Sequence, residues 1–331
     1  MSDPSKGVVL AAGIGKRLMP LTATRPKPML PLAGKPLLEY NLEQLASAGV
    51  REIAVVVPPQ GEAIERCFGG AWRGIRMRYV VQAEARGTGH ALNLVRDIVG
   101  ASAFYCIFGD NLTTWSMTRL LPAHRDMQAA ATLALFHARD PRRHGVAELE
   151  ARRIRRIIEK PEHPPSDLAS AGMFVFEAEI FDALDAIGLT RRGELELPDA
   201  VQHLISRGRT VTYEVLDEWR ININTPAEFL EANHHMLDHG GRSISGTGIA
   251  PPVVARGDPQ VEANAELGPY VSCGCGCVLG GGARVTESIL LDGVVVEEGA
   301  EVRSSIVGEC ARLAAGAQVC EQVVADNAIC G

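Results

Sequence analysis

The residues with the clearest chemical potential lie in two short loops near the N-terminus. The first loop is Leu10-Ala11-Ala12-Gly13-Ile14-Gly15-Lys16-Arg17-Leu18, which follows an apolar run. A small, Gly-containing turn lets backbone N–H groups approach phosphate oxygens closely, and Lys16-Arg17 adds charge, so the loop reads as a triphosphate cradle. It is not a dinucleotide fingerprint, because Leu18 stands where the third Gly belongs. Nor is it a P-loop, since no Gly-Lys-Ser/Thr follows at the required spacing. The second loop is Arg25-Pro26-Lys27-Pro28-Met29-Leu30-Pro31, then Gly34-Lys35-Pro36. Its prolines restrict the backbone, so Lys27 is presented with little freedom. A rigidly aimed cation suits charge developing on a phosphorus centre; the ordinary alternative is a Pro-rich surface loop with solvated charges. Only five of the 33 Lys and Arg residues are Lys. Lys16, Lys27 and Lys35 lie in these two loops, and Lys160 lies in the triplet Glu159-Lys160-Pro161. Where Arg is the default cation, a retained Lys suggests a need for a compact point charge.

The elements that must position these loops alternate. Val8–Ala12, Glu52–Val57, Met77–Val81, Ala103–Phe108, Ala130–Phe136 and Met173–Phe176 read as strands. Pro36–Ala48, His90–Val99, Met117–His124, Glu179–Ile187 and Pro198–Arg207 read as helices, and a last helix starts at Asn224-Thr225-Pro226. This pattern predicts an α/β fold: a Rossmann-like, mostly parallel sheet covered on both faces, with ligands outside the carboxyl ends of its strands.

After about residue 240 the pattern changes. A Gly-, Pro- and Ser-rich stretch, 241–258, reads as a linker between a domain at 1–240 and a second at 259–331. In the second, Val261, Leu267, Cys273, Leu279, Val285 and Leu291 recur every six residues, and the phase slips at Val296 and again at Val307. Gly282-Ala283-Arg284-Val285, Gly299-Ala300-Glu301-Val302 and Gly316-Ala317-Gln318-Val319 repeat at 17. Hexapeptide repeats of this kind build a parallel β-helix of about four coils, whose small apolar residues point inward. Cys273, Cys275 and Cys277 alternate, which on a strand sends all three to one side. A soft-metal site there is the sharper reading and β-helix packing the plainer one.

The 331 residues suggest about two domains. A net charge of −7 argues against a nucleic-acid-coating surface, and no apolar run approaches the length of a membrane span. The eight Cys are scattered, which argues against a disulfide framework. The polar start Met1-Ser2-Asp3-Pro4 lacks a secretory signal, so a cytoplasmic location is expected.

Leu10–Leu18 together with Arg25–Leu30 resembles the signature of the sugar-1-phosphate nucleotidyltransferase superfamily. Further along, Gln82 to Ala91, Phe108-Gly109-Asp110, Ile157-Ile158-Glu159-Lys160-Pro161, Ala171-Gly172-Met173-Phe174, Arg192 to Leu197 and Trp219 to Pro226 resemble its later motifs in order. A C-terminal left-handed β-helix is a common appendage of that family. The resemblance implies nucleotide binding by Leu10, Ala11, Ala12, Gly13, Gly15, Gln82, Gly87 and Thr88. It implies sugar-phosphate binding by Gly109, Gly145, Glu159, Lys160, Gly172 and Asn222, and Mg²⁺ on Asp110 and Asn222. Arg17, Lys27 and Asp110 would be catalytic. These roles have physical counterparts. Gln82 offers a donor and an acceptor to a base edge. Gly87 and Thr88 open a helix with free N–H groups. Asp110, at a strand's carboxyl end, suits a Mg²⁺ that bridges phosphates, although Gly-Asp-Asn is also good turn chemistry. Many relatives have Asp where this chain has Asn222. The N-acetylglucosamine uridylyltransferases share Asn there but place another Asn where this chain has Ser170-Ala171.

The implied reaction is in-line attack by the phosphate of a sugar 1-phosphate on the α-phosphorus of a nucleoside triphosphate, releasing pyrophosphate. An ionised phosphate needs no general base, so positioning and charge stabilisation carry the catalysis. UTP or dTTP, with glucose 1-phosphate or N-acetylglucosamine 1-phosphate, is the expected pairing. A mannose-1-phosphate guanylyltransferase and a non-catalytic regulatory homologue are the alternatives. Acyl transfer by the β-helix is disfavoured, because all nine His lie at or before His239 and such enzymes commonly use a His base. The β-helix is expected to serve homo-oligomer assembly.

Overall fold

The computed structural model describes residues 3–190, 193–240 and 243–331. Arg192 of the expected motif, and Gly241 and Arg242 at the start of the expected linker, lie outside the described residues. Contacts gather the chain into two units, each built from two stretches: Met1–Gly13 with Tyr40–Arg220, and Ile14–Glu39 with Ile221–Gly331.

The first unit is built on a ten-stranded sheet. Nine of its strands are β1 (Lys6–Leu10), β2 (Glu52–Val57), β3 (Ile75–Val81), β4 (Phe104–Phe108), β5 (Ala131–His137), β6 (Gly145–Glu150), β7 (Arg153–Glu159), β8 (Leu168–Phe176) and β9 (Val211–Val215). The tenth is the short edge strand Ala71–Trp72. The order runs β7-β6-β8-β4-β1-β2-β3 to that edge, and β5 pairs with both β8 and β9. The four strands β4, β1, β2 and β3 are parallel, and β8 runs antiparallel to β4 and to β5. The parallel strands read as unbroken apolar runs because both faces are covered; Val8, Val9, Val55, Val56 and Cys106 are fully buried. Lys6 opens β1 and donates from Nζ to the carbonyls of Ile98 (2.7 Å) and Val99 (2.9 Å), which end the helix Arg96–Val99. It is a structural cation, placed where helix carbonyls lack partners. The helix expected over His90–Val99 is two helices, Thr88–Asn93 and Arg96–Val99.

The second unit contains a stack of parallel coils, a β-helix with three faces. Two faces carry five strands and one carries four. The first rung, Val253–Ala255, lies within the stretch read as linker. A three-residue strand directly after Pro251-Pro252 gives little signal against so much Gly and Pro. Val253 pairs with Val271 at a step of 18, whereas Val278 pairs with Val295 at 17. The phase slip in the apolar repeat is this shortening of the coil. Leu267, Leu279, Val285, Val296, Val302, Val307 and Leu313 are fully buried, as the repeat predicts. Gly282, Gly299 and Gly316 turn one corner at φ of 71°, 65° and 72°, a region that glycine enters without steric cost. Cys273, Cys275 and Cys277 do not share a side. Cys273 ends a strand and Cys277 is buried with it, but Cys275 sits in the corner between them and is exposed. Strand alternation stops at Cys273, so it cannot align the three.

At these inward positions a truncation leaves a cavity. Leu279→Ala should cost about 2–5 kcal/mol in denaturant unfolding, whereas Ile329→Ala, at a position 80% exposed, should change stability by about 0.5 kcal/mol or less.

Candidate active site

In the first unit, the loops at the carboxyl ends of the parallel strands are packed backbone to backbone, and glycine marks each close approach. The chain leaves β1 at Leu10, and Ala11 N–H donates to Val56 O (2.8 Å). Gly109, just after β4, donates to Leu10 O (2.9 Å). A Cβ on Gly109 would lie 2.8 Å from that of Ala11. Ala11 and Gly109 are therefore neighbours. Ala12 is half-buried, and Gly13 is exposed with no described residue within 4 Å of where its Cβ would be, so backbone at this turn is open to a ligand.

Asp110 follows Gly109 and is half-buried. Asn111, buried, donates from Nδ2 to the carbonyls of Ala171 and of Gly172 (3.1 Å). Gly172 sits at an irregularity in β8 with φ 73°, and a Cβ there would strike the Phe108 ring at 2.6 Å. The Gly109-Asp110 turn and the Gly172 bulge are thus one packed object. Arg220 completes it. Its guanidinium lies 3.7 Å from the centre of the Phe136 ring and 3.5 Å from Asn111 Oδ1. Burial pushes its pKa down to about 10, and the charge of Asp110 pulls it back up. Arg220 and Asn111 are not among the site residues expected from the sequence: Arg220 falls within the Trp219 to Pro226 motif and Asn111 follows Asp110, but nothing in their local spacing singles out either side chain.

Gln82 directly follows β3 and is 7% exposed, a buried carboxamide rather than a solvated one. Its Nε2 donates to Gly87 O (3.2 Å) and lies 3.0 Å from His90 Nδ1. Gly87 has φ 97°, and a Cβ there would lie 2.4 Å from Leu195 O. The helix opening at Thr88 is held by that neighbouring segment. Gly89 N–H donates to Leu195 O (2.8 Å), and Thr88 Oγ1 donates to Glu196 Oε2 (3.0 Å). One of the N–H groups expected to be free at this helix start is therefore taken by a carbonyl.

Gly145 and Glu159 face each other across β6 and β7. A Cβ on Gly145 would come within 3.2 Å of the Glu159 carboxylate. Glu159 is 3.1 Å from Lys160 Nζ. Lys160 adopts φ 45°, a left-handed backbone held by its N–H to His144 O (3.0 Å). A non-glycine residue there stores strain of about 1–3 kcal/mol, a pattern common at functional sites. Both residues line an open depression of about 440 Å³ with Arg156, Thr190, Asp199 and Gln202.

In the second unit, Lys27 begins a short 3₁₀ turn, Lys27–Met29, and its residue is only 6% exposed. Its Nζ is 3.3 Å from Asn224 Oδ1. Asn224 is fixed in turn by the N-terminus of the helix Pro226–His239. There Thr225 and Glu228 form a capping box, and Glu228 Oε2 also accepts from Asn224 N–H (2.8 Å). Gly15 has φ 68°, and a Cβ there would lie 3.1 Å from Lys27 Cβ. This glycine therefore shapes the lysine stem as well as the loop. Arg17 and Lys16 are exposed, Leu18 beneath them is fully buried, and Asn222 is half-buried.

Among the described residues, no three His, Cys, Asp or Glu side chains are grouped to hold an ion. Mg²⁺ bridging substrate phosphates needs only one or two protein oxygens, and the hard carboxylate of Asp110 fits that demand. No described helix is long and apolar enough to cross a membrane.

Comparison with known proteins gives two family matches along the chain. The family described as Nucleotidyl transferase matches residues 6–239, and the one described as GMPPB C-terminal domain matches residues 249–330. The chain is 33% identical over 306 residues to a glucose-1-phosphate thymidylyltransferase of Streptomyces antibioticus, covering 92% of this chain and 81% of that one. It is 32% identical over 309 residues to a mannose-1-phosphate guanylyltransferase of Mycobacterium tuberculosis, covering 91% and 82%. A crystal structure of a UDP-glucose pyrophosphorylase with UDP-glucose shares the fold, with a TM-score of 0.65 at 24% identity over 71% of this chain and 99% of that one.

The close approach at Gly87 gives a direct test. Gly87→Ala meets both a left-handed backbone and a backbone oxygen, and should cost roughly 3 kcal/mol. Gly208→Ala, with φ 76° but open space, should cost only about 1 kcal/mol, as read by thermal or denaturant unfolding.

Proposed function

The chain belongs to the Nucleotidyl transferase family, that of the sugar-1-phosphate nucleotidyltransferases, and from that premise we propose that it joins UTP or dTTP to glucose 1-phosphate or N-acetylglucosamine 1-phosphate, giving a nucleotide sugar and pyrophosphate. The observation that carries the proposal is the mounting of Lys27: a cation almost out of water, held between Gly15 and Asn224 on a proline-restricted turn. A preorganised charge of this kind favours a phosphorus centre in its transition state over its ground state.

The proposed roles follow from the chemistry of each group. The open backbone at Gly13 and the exposed Arg17 receive the triphosphate. Gln82 meets the base edge beside Gly87 and Thr88. Glu159 accepts sugar hydroxyls, and Lys160 meets the sugar phosphate. The attacking oxygen is already ionised, so no side chain has to take a proton. Asp110 would hold Mg²⁺, which when bound neutralises charge on the α-phosphate and pyrophosphate oxygens. Guanylyl transfer to mannose 1-phosphate is the second proposal, favoured by similarity to the mycobacterial relative along most of the chain.

Two measurements test this function. A matrix of nucleoside triphosphates against sugar 1-phosphates, read as pyrophosphate release, should give turnover with one favoured pair in Mg²⁺ and none in chelator; no release with any pair would leave a non-catalytic homologue. With that pair, Lys27→Ala should lower kcat about 10²-fold, or roughly 3 kcal/mol in barrier height. Near-normal turnover would remove Lys27 from the site.

A further inference from the structure

Arg25 stands two residues before Lys27 and is held by the far end of the chain. Its Nη2 donates to Asp326 Oδ2 (2.7 Å) and to Glu309 Oε2 (2.7 Å), and its Nη1 lies 3.3 Å from Asp326 Oδ1. Thr24 Oγ1 also donates to Asp326. The Arg25 side chain is 14% exposed and that of Asp326 only 6%. Asp326 is itself fixed, because its Oδ1 accepts the Glu309 N–H (2.7 Å) one coil earlier. Glu309 and Asp326 are 17 residues apart, one coil step, so they stack at the strand spacing of about 4.8 Å. Two carboxylates so placed repel each other unless a cation lies across them, and a planar guanidinium with several donors is suited to span both.

The other end of the same loop is pinned as well. Asn233, fully buried in the helix Pro226–His239, accepts through Oδ1 from Ala33 N–H (3.2 Å) and from Ser272 Oγ on the β-helix (2.6 Å). Val254, on the first rung, lies against Gly34 so closely that a Cβ there would meet it at 2.8 Å. Lys27 therefore sits on a segment anchored at both ends to coils of the β-helix.

We propose that Arg25, Glu309 and Asp326 are positioning residues for catalysis: the last coils of the β-helix clamp the Arg25-Pro26-Lys27 turn and so fix where the Lys27 ammonium points. This rests on the proposal that Lys27 acts on the nucleotide phosphates. The β-helix is then part of the catalytic apparatus as well as a stiff appendage, because a cation whose mounting loosens loses its preorganisation before it loses its charge.

A double-mutant cycle on the full chain tests the clamp, with pyrophosphate release as the readout and a thermal melt to establish folding. Asp326→Asn keeps an oxygen for the Glu309 N–H but removes the charge. It should lower kcat on the order of tenfold with the KM for sugar phosphate unchanged. In the Lys27→Ala background the same change should alter the rate by less than about twofold, since there is no ammonium left to aim. Arg25→Met, which changes no residue of the coils and is checked by the same thermal melt, should reproduce the loss and serves if Asp326→Asn does not fold. Full activity in both clamp variants, or an equal loss with and without Lys27, would overturn the clamp. Unchanged activity in Lys27→Ala alone would instead overturn the assignment of Lys27 and leave the clamp without a purpose in catalysis.

Discussion

An ammonium taken out of water loses hydration that nearby polar groups must replace, and a chain accepts that cost where the charge has a use. Lys27 meets this constraint with a set of fixed neighbours. Pro26 and Pro28 on either side of it are buried and hold the turn. Gly15 leaves room for its stem, and Asn224 faces it from the start of a capped helix. Each neighbour is itself restrained: Asn224 and Thr225 by Glu228, and the loop's other end by Asn233. The rigidity comes from small local devices repeated in series rather than from one large core.

The first unit applies the same logic to backbone. The parallel strands bring several loops to their carboxyl ends, where ligands of such sheets bind. At Gly109, Gly172, Gly87 and Gly145 the missing Cβ lets one segment rest directly on another. Gly109 lies on Ala11, Gly172 on Phe108 and Asn111, Gly87 on Leu195, and Gly145 against the Glu159 carboxylate. Motifs that are distant in sequence, such as Arg86–Thr88 and Leu195–Leu197, are consequently tied by backbone and side-chain hydrogen bonds. Arg220 adds charge to this framework, and the face of the Phe136 ring takes the place of lost water.

Much of this is legible in the sequence alone. The alternation of apolar runs predicts the parallel core because fully covered strands have no polar face to hide. The six- and 17-residue repeats predict the β-helix because each coil must present the same inward residue. The order of Gly and Lys motifs marks the loops around Lys27, Asp110 and Gln82. Less legible is whatever depends on contacts between distant segments. Arg25 and Asp326 are 301 residues apart, and neither has a local pattern that announces the other. The strands Gly145–Glu150, Arg153–Glu159 and Val211–Val215 are not among those the apolar runs predict. Arg153–Glu159 alternates exposed and buried residues too raggedly for a period of two, and Arg fills its outward positions. Cys275 departs from the expected side because a corner, invisible in the alternation of Cys and Gly, interrupts the strand.

The claim on which all of this depends is that the clamped turn aims its lysine at the nucleotide's innermost phosphate. A crystal structure of the chain with Mg²⁺ and a non-reacting analogue of the nucleotide that supports turnover measures this directly. The expected result is Lys27 Nζ within hydrogen-bonding reach of an α-phosphate oxygen, with the ion on Asp110. A triphosphate bound far from Lys27, with the ammonium still turned to Asn224, would contradict it.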